Sequence, residues 1–170
     1  MSDTKESVIT LPKAPDANAP KKKYDAACHC GAFAYTVTAS PPLDDPSAEV
    51  IECNCSICSR NGYLYIYPPN SSVEFTKGDI SEFKSYTFGP DAKVAHYFCP
   101  TCGSSCMARS IDPNFFPGMT CLNVRMLDGV DLKALKIKFA DGKSYTPGSL
   151  AEGEENKEWK KMGEGQKQAE

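Results

Sequence analysis

Seven of the nine cysteines fall into three tight clusters, and any fold for this chain has to gather those sulfurs. Cys28 and Cys30 form a C-x-C pair followed by Gly31. Cys53, Cys55 and Cys58 form C-x-C-x-x-C, and Cys99 and Cys102 form C-x-x-C followed by Gly103. A turn between thiols one or two residues apart points both sulfurs the same way, so such pairs converge on one soft cation. The two glycine-ended knuckles supply four sulfurs, which close a tetrahedral zinc site. The middle cluster supplies three and leaves a position open, the arrangement of a working zinc. Two Zn2+ ions per chain are therefore expected, one structural and one with a vacancy.

Disulfides are the competing reading. Nine is an odd number, and the opening MSDTKESVITLPKAP lacks the apolar stretch of a secretory signal. A reducing, cytoplasmic compartment is expected, with the nucleus left open, and there clustered thiols bind metal rather than pair. The spacings fit neither ferredoxin run, which favours zinc; a labile iron–sulfur cluster stays open as an alternative.

No window approaches the roughly 18 apolar residues of a membrane span. A net charge of −3 gives no attraction to phosphate backbones, so neither nucleic acid nor membrane is an expected partner. An oligomer is left open. Residues 1–23, with Pro12, Pro15 and Pro20 and the run Lys21-Lys22-Lys23, read as a disordered arm. Residues 146–170 read as a polar tail in which Trp159 alone is suited to docking. One folded unit over 24–145 remains.

That unit reads as all-β: short runs of strand formers separated by turn signals. Strands are expected at 33–38, 50–51, 63–67, 73–75, 83–88, 93–98, 120–126 and 135–139. A short helical turn is expected at 130–135, with Asp128 as its cap. Ser40 to Glu49 is a proline-rich loop, and Gly89-Pro90-Asp91 a hairpin turn. Each cysteine cluster then sits at a strand end, where a sheet can fix sulfur positions.

Cys28-His29-Cys30-Gly31, Cys53-Asn54-Cys55-Ser56-Ile57-Cys58 and Phe98-Cys99-Pro100-Thr101-Cys102-Gly103-Ser104 resemble the glutathione-dependent formaldehyde-activating (Gfa) family, which includes the centromere protein V domain. Weaker matches are Asn123-Val124-Arg125 and Asp141-Gly142. The resemblance implies a Mss4-like fold of small antiparallel sheets around zinc knuckles. It implies a structural zinc on Cys28, Cys30, Cys99 and Cys102, and a second on Cys53, Cys55 and Cys58 that meets glutathione. Many members carry a basic residue directly after the last cysteine of the middle cluster; here Ser59 follows and Arg60 is displaced by one.

A zinc on three thiolates favours a soft fourth ligand, and glutathione sulfur is a natural one. The chemistry expected is that of a carbon–sulfur lyase or synthase acting on glutathione and a small electrophile. Formation of S-(hydroxymethyl)glutathione from formaldehyde is its candidate reaction. Cys53, Cys55 and Cys58 are the catalytic candidates, and Arg60, Asn61 and Tyr63 the glutathione-binding ones. Arg109 and Arg125 stand behind Arg60 as carboxylate partners. The alternative is a non-catalytic, zinc-stabilised interaction module, its middle site closed by Cys106, Cys121, His96 or a partner group. On residue chemistry alone, Cys106 and Cys121 read as small buried apolar residues and His96 as a hydrogen-bonded sheet histidine. His29 should point away from the metal, and Tyr63, Tyr65 and Tyr67 fit either a pocket lining or sheet packing.

Overall fold

A computed structural model describes residues 13–144 and 154–167. The arm expected over 1–23 therefore lies outside the described residues as far as residue 12, as do 145–153 and 168–170 of the chain's end. Among the described residues, ten strands form two sheets. β1 (Lys22–Ala27), β2 (Ala34–Ala39) and β5 (Val73–Lys77) make a small antiparallel sheet in the order β1-β2-β5. The larger sheet contains β3 (Val50–Cys53), β4 (Tyr65–Ile66), β6 (Lys84–Tyr86), β7 (Val94–Phe98), β8 (Ser105–Ser110), β9 (Thr120–Asn123) and β10 (Ile137–Ala140). Its order is β10-β3-β4-β9-β8-β7-β6, and only the β10–β3 pair is parallel. This is the all-β, Mss4-like arrangement of small sheets around cysteine knuckles.

Strand register separates the two faces of the large sheet. Tyr97 pairs with Met107, Met107 with Leu122, and Leu122 with Ile66. This row meets Phe33, Tyr35 and Val37 of the small sheet in the main core. Met107, Leu122 and Val37 are fully buried, and each side chain of this size contributes about 1.5–3 kcal/mol when removed from water. Neighbouring residues on the same strands point the other way. His96, Ala108 and Cys121 form one row there, and Ile51 and Tyr65 another. The middle cysteine cluster sits on this second face.

Two α-helices complete the fold among the described residues. α1 (Ser56–Asn61) carries Cys58, has Cys55 as its N-cap and ends at Gly62. α2 (Glu154–Lys167) docks through Trp159, which is fully buried with Phe116 and Met119 beside Tyr67 and Cys121. Asn156 secures it: Oδ1 accepts from Phe116 N–H at 2.6 Å, and Nδ2 donates to Asn114 O at 2.9 Å.

The structure departs from expectation in several places, among them β1, where no strand was expected. α1 replaces a loop, because a six-residue helix anchored by two of the sulfurs needs no amphipathic stripe. β8 was not expected: Cys106, Met107 and Ala108 are buried in succession, so the strand shows no alternation. Residues 130–135 form no helical turn; Asp131 instead caps a tight turn, accepting from Lys133 N–H at 3.0 Å. Strand β9 also stops earlier than expected, at Asn123, whose Oδ1 accepts from Arg125 N–H and starts a 3-10 turn over Val124–Met126.

Candidate metal centres

Each of the two glycine-ended knuckles closes on a hydrogen bond from its glycine back to the first cysteine. Gly31 N–H donates to Cys28 O at 3.0 Å and Gly103 N–H to Cys99 O at 2.9 Å, with φ of 72° and 73°. That left-handed backbone is where glycine is favoured. One knuckle joins β1 to β2 and the other joins β7 to β8, so their meeting ties the small sheet to the large one. The sulfurs of Cys28, Cys30, Cys99 and Cys102 all lie within 4.8 Å of one another. Cys30 Sγ stands 3.7 Å from both Cys28 Sγ and Cys99 Sγ.

These spacings test the fit of zinc. Zn–S bonds of about 2.3 Å put tetrahedral sulfurs about 3.8 Å apart. The two spacings at Cys30 match the edge of such a tetrahedron, the other sulfurs lie within 4.8 Å, and all nine cysteines are free of disulfides. Polar neighbours support the sulfurs: Phe33 N–H donates to Cys28 Sγ at 3.4 Å, and Ser104 Oγ lies 3.3 Å from Cys102 Sγ. Hydrogen bonding with Ser104 brings the Cys102 thiol down to about 5. Ser104 also accepts from His29 N–H at 3.0 Å, a contact that links the knuckles.

In the second cluster the sulfurs of Cys53, Cys55 and Cys58 again lie within 4.8 Å of one another. Cys53 ends β3, Cys55 caps α1 and Cys58 lies one turn inside it. Among the described residues no further histidine, cysteine, aspartate or glutamate joins the group. Cys106, Cys121 and His96, the candidates for closing it, are outside. Cys106 is fully buried in the main core, and Cys121 packs between the cluster and Trp159. The donor set is soft, anionic and three in number, which suits zinc with one position free.

Charge is unevenly shared among the three sulfurs. Hydrogen bonds from Cys53 and then Cys58 lower the Cys55 thiol to about 2, with help from the N–H groups of Cys58 and Ile57 at the start of α1. Cys58 moves the other way, held protonated by Cys53 and Cys55. The arrangement favours the thiolate form on Cys55, so a soft cation binding there displaces fewer protons.

The residues around this centre divide into partners and struts. Arg60 is exposed and hydrogen-bonds Ser56 O through Nη1 at 2.9 Å. Arg125 holds Gly62 O through Nε at 2.7 Å. Both guanidinium groups thus stand beside α1. Arg109 does not: it is a strut, donating to Thr120 Oγ1 at 3.0 Å, and burial lowers its pKa. Asn61 bonds Ile57 O through Nδ2 and accepts from Ser105 Oγ. Tyr63 is buried and stacks on Tyr65 at 4.6 Å and on His96 at 5.9 Å. His96 is 7% exposed, and its buried Nδ1 meets no hydrogen-bond partner, contrary to the expected bonded histidine. Burial lowers its pKa, opposed in part by the charge on Cys55.

Sequence reasoning did not reach Asn54, which bonds the segment 140–143, or Asn123, which accepts from Leu64 N–H and donates to Ser105 O. The pairs Asn123-Val124-Arg125 and Asp141-Gly142 were the available signals. A cavity of about 670 Å³ opens at the far end of β3 and β4, lined by residues including Lys21, Glu49, Ile51, Tyr67 and Lys138. No sulfur of either cluster lines it.

The sequence pattern of the family described as glutathione-dependent formaldehyde-activating enzyme matches residues 23–139. Among solved structures, a crystal structure of a Rhodobacter sphaeroides protein is similar at 26% identity and a TM-score of 0.53. The match covers 67% of this chain and 99% of that one.

Proposed function

The chain belongs to the family of glutathione-dependent formaldehyde-activating enzymes, and on that premise we propose that its three-cysteine cluster is the working centre of a zinc-dependent carbon–sulfur lyase or synthase. The substrates of this reading are glutathione and a small electrophile, with formaldehyde as the candidate. The overall reaction joins the glutathione sulfur to the carbonyl carbon and moves the thiol proton to the carbonyl oxygen, giving S-(hydroxymethyl)glutathione. The reverse direction breaks the same carbon–sulfur bond. Zinc held by Cys53, Cys55 and Cys58 would supply a Lewis acid that favours the thiolate form of glutathione near neutral pH.

The observation that carries the reading is the count of converging side chains: three sulfurs and no fourth ligand among the described residues. The protein's own groups do the remaining work. Cys55 is half-buried, so the cluster can be reached by a ligand from its side, while Cys58 is buried. Arg60 and Arg125 place cations beside α1, where the two carboxylates of glutathione can be paired. Asn61 and Tyr63 follow Arg60 along the chain, and Tyr63 stacks on Tyr65 to give a rigid aromatic pair packed with Cys58. The four-cysteine centre is closed by its own sulfurs and acts as a staple between the sheets.

The test is Cys55→Ser. The variant should lose one zinc of two and, with it, glutathione binding measured by calorimetry. Unchanged glutathione affinity after that loss would leave the cluster structural and favour the interaction module.

A further inference from the structure

The segment that follows β10 presses against the three-cysteine centre, and the residue between two of the sulfurs holds it there. Asn54 donates its backbone N–H to Ala140 O at 3.1 Å, continuing the β10–β3 ladder one residue past Cys53. Its side chain then grips both sides of Gly142. Nδ2 donates to Asp141 Oδ1 at 2.7 Å, and Oδ1 accepts from Lys143 N–H at 2.9 Å. Asp141 is braced in turn by Ser144, whose hydroxyl donates to Oδ2 at 2.5 Å. The Asn54 amide thereby donates once through Nδ2 and accepts once through Oδ1, in both cases with residues far away in sequence.

Gly142 lies at the point of closest approach. A Cβ built there would stand 2.4 Å from Cys53 Sγ and 3.0 Å from Cys55 Cβ. Carbon and sulfur in ordinary contact need well over 3 Å. Unlike Gly31 and Gly103, whose φ is positive, Gly142 owes its glycine to space alone. The backbone of this loop therefore forms a wall directly against one sulfur of the cluster.

We propose that Asn54, Asp141 and Gly142 are positioning residues of the three-cysteine centre. They form a latch that fixes Cys53 Sγ relative to Cys55 and Cys58 before metal arrives and closes the Cys53 side of the site. The need for such a latch follows from the fold. Cys55 and Cys58 share one short helix, whereas Cys53 ends a strand and would otherwise be free to swing. A metal site gains affinity when surrounding hydrogen bonds settle the ligands in advance, and loss of such a partner typically weakens binding about 10–100-fold. The inference rests on the reading of this cluster as a metal centre.

The test uses the full chain with cobalt(II) in place of zinc, following the thiolate-to-cobalt absorption of each centre. Asn54→Asp sets two carboxylates against each other and should weaken the second cobalt equivalent about 10–100-fold, leaving the first unchanged. Adding Asp141→Asn reverses donor and acceptor: the amide now at 141 donates to the carboxylate at 54, which still accepts from Lys143 N–H. This pair should recover most of the wild-type affinity, a rescue that a general loss of folding would not allow. Gly142→Ala should lose or spectrally shift the second cobalt only. Two cobalt ions in the wild type with matching affinity and spectra in Asn54→Asp and Gly142→Ala would overturn the latch alone. So would a paired variant no better than Asn54→Asp. A wild type that takes a single cobalt would overturn the metal-centre reading and the latch with it.

Discussion

Folding stability should rise with free zinc at a rate that counts the metal centres. A ligand that binds only the folded state adds RT ln(1 + [L]/Kd), which is about 1.4 kcal/mol for each tenfold rise in ligand above Kd. The structure offers two cysteine clusters, so the wild-type slope should be about 2.7 kcal/mol per decade of free zinc. Cys55→Ser removes one cluster and should reduce the slope to about 1.4 kcal/mol per decade. Against a total stability of about 5–15 kcal/mol, one decade is a large and measurable fraction. The assay is urea unfolding in metal-buffered solutions of fixed free zinc. Trp159, the only tryptophan and fully buried, reports the transition by fluorescence. Far-UV circular dichroism should give the same midpoints if unfolding is two-state. A wild-type slope near 1.4 kcal/mol per decade would refute the second centre. A Cys55→Ser slope equal to that of the wild type would refute its assignment to these three cysteines.

Two further outcomes follow from buried side chains. Trp159→Ala should cost about 3–5 kcal/mol, because the indole fills a site enclosed by Phe116 and Met119; a loss below about 1 kcal/mol in urea unfolding would mean that α2 docks without stabilising the domain. His96 should make stability fall in mild acid. Its folded pKa lies below the ordinary value of about 6.5, so the unfolded chain takes up the proton first. Stability is then full above that value and declines as pH drops through it, levelling off below the folded pKa. His96→Phe keeps the stack with Tyr63 and should remove this part of the pH profile, which a denaturation series from neutral to mildly acid pH would show.

The parts of the protein that sequence reveals are those whose chemistry is local. Cys28, Cys30 and Gly31 state a metal knuckle within four residues, and Cys99, Cys102 and Gly103 repeat it, so their meeting could be expected before any strand was placed. β2 was legible because Tyr35 and Val37 face the core while Thr36 and Thr38 do not. β8 was not, since covering both sides of Met107 and its neighbours erases the alternation that marks a strand. α1 was hidden because the sulfurs, rather than an apolar stripe, hold it in place, although Gly62 marks where it ends. The cluster of three was visible, but its surroundings were not. Asn54 and Asp141 are separated by 87 residues, and nothing near either one announces the other. Arg109 looked equal to Arg125 as a free cation until tertiary structure buried the first and left the second beside α1.

The parallel pairing of β10 with β3 has a bearing on how the molecule comes into being. A ribosome releases the four cysteines of the knuckle site by residue 102, while the strand that pairs with Cys53 emerges only with residues 137–140. Chains fold broadly from the N-terminus as they are made. The four-sulfur cluster can thus be complete on a nascent chain, whereas the three-cysteine cluster lacks its parallel neighbour until β10 slides in beside β3. The order of the strands therefore sets an order of assembly, with the cluster between the sheets complete first and the cluster at the end of β3 last.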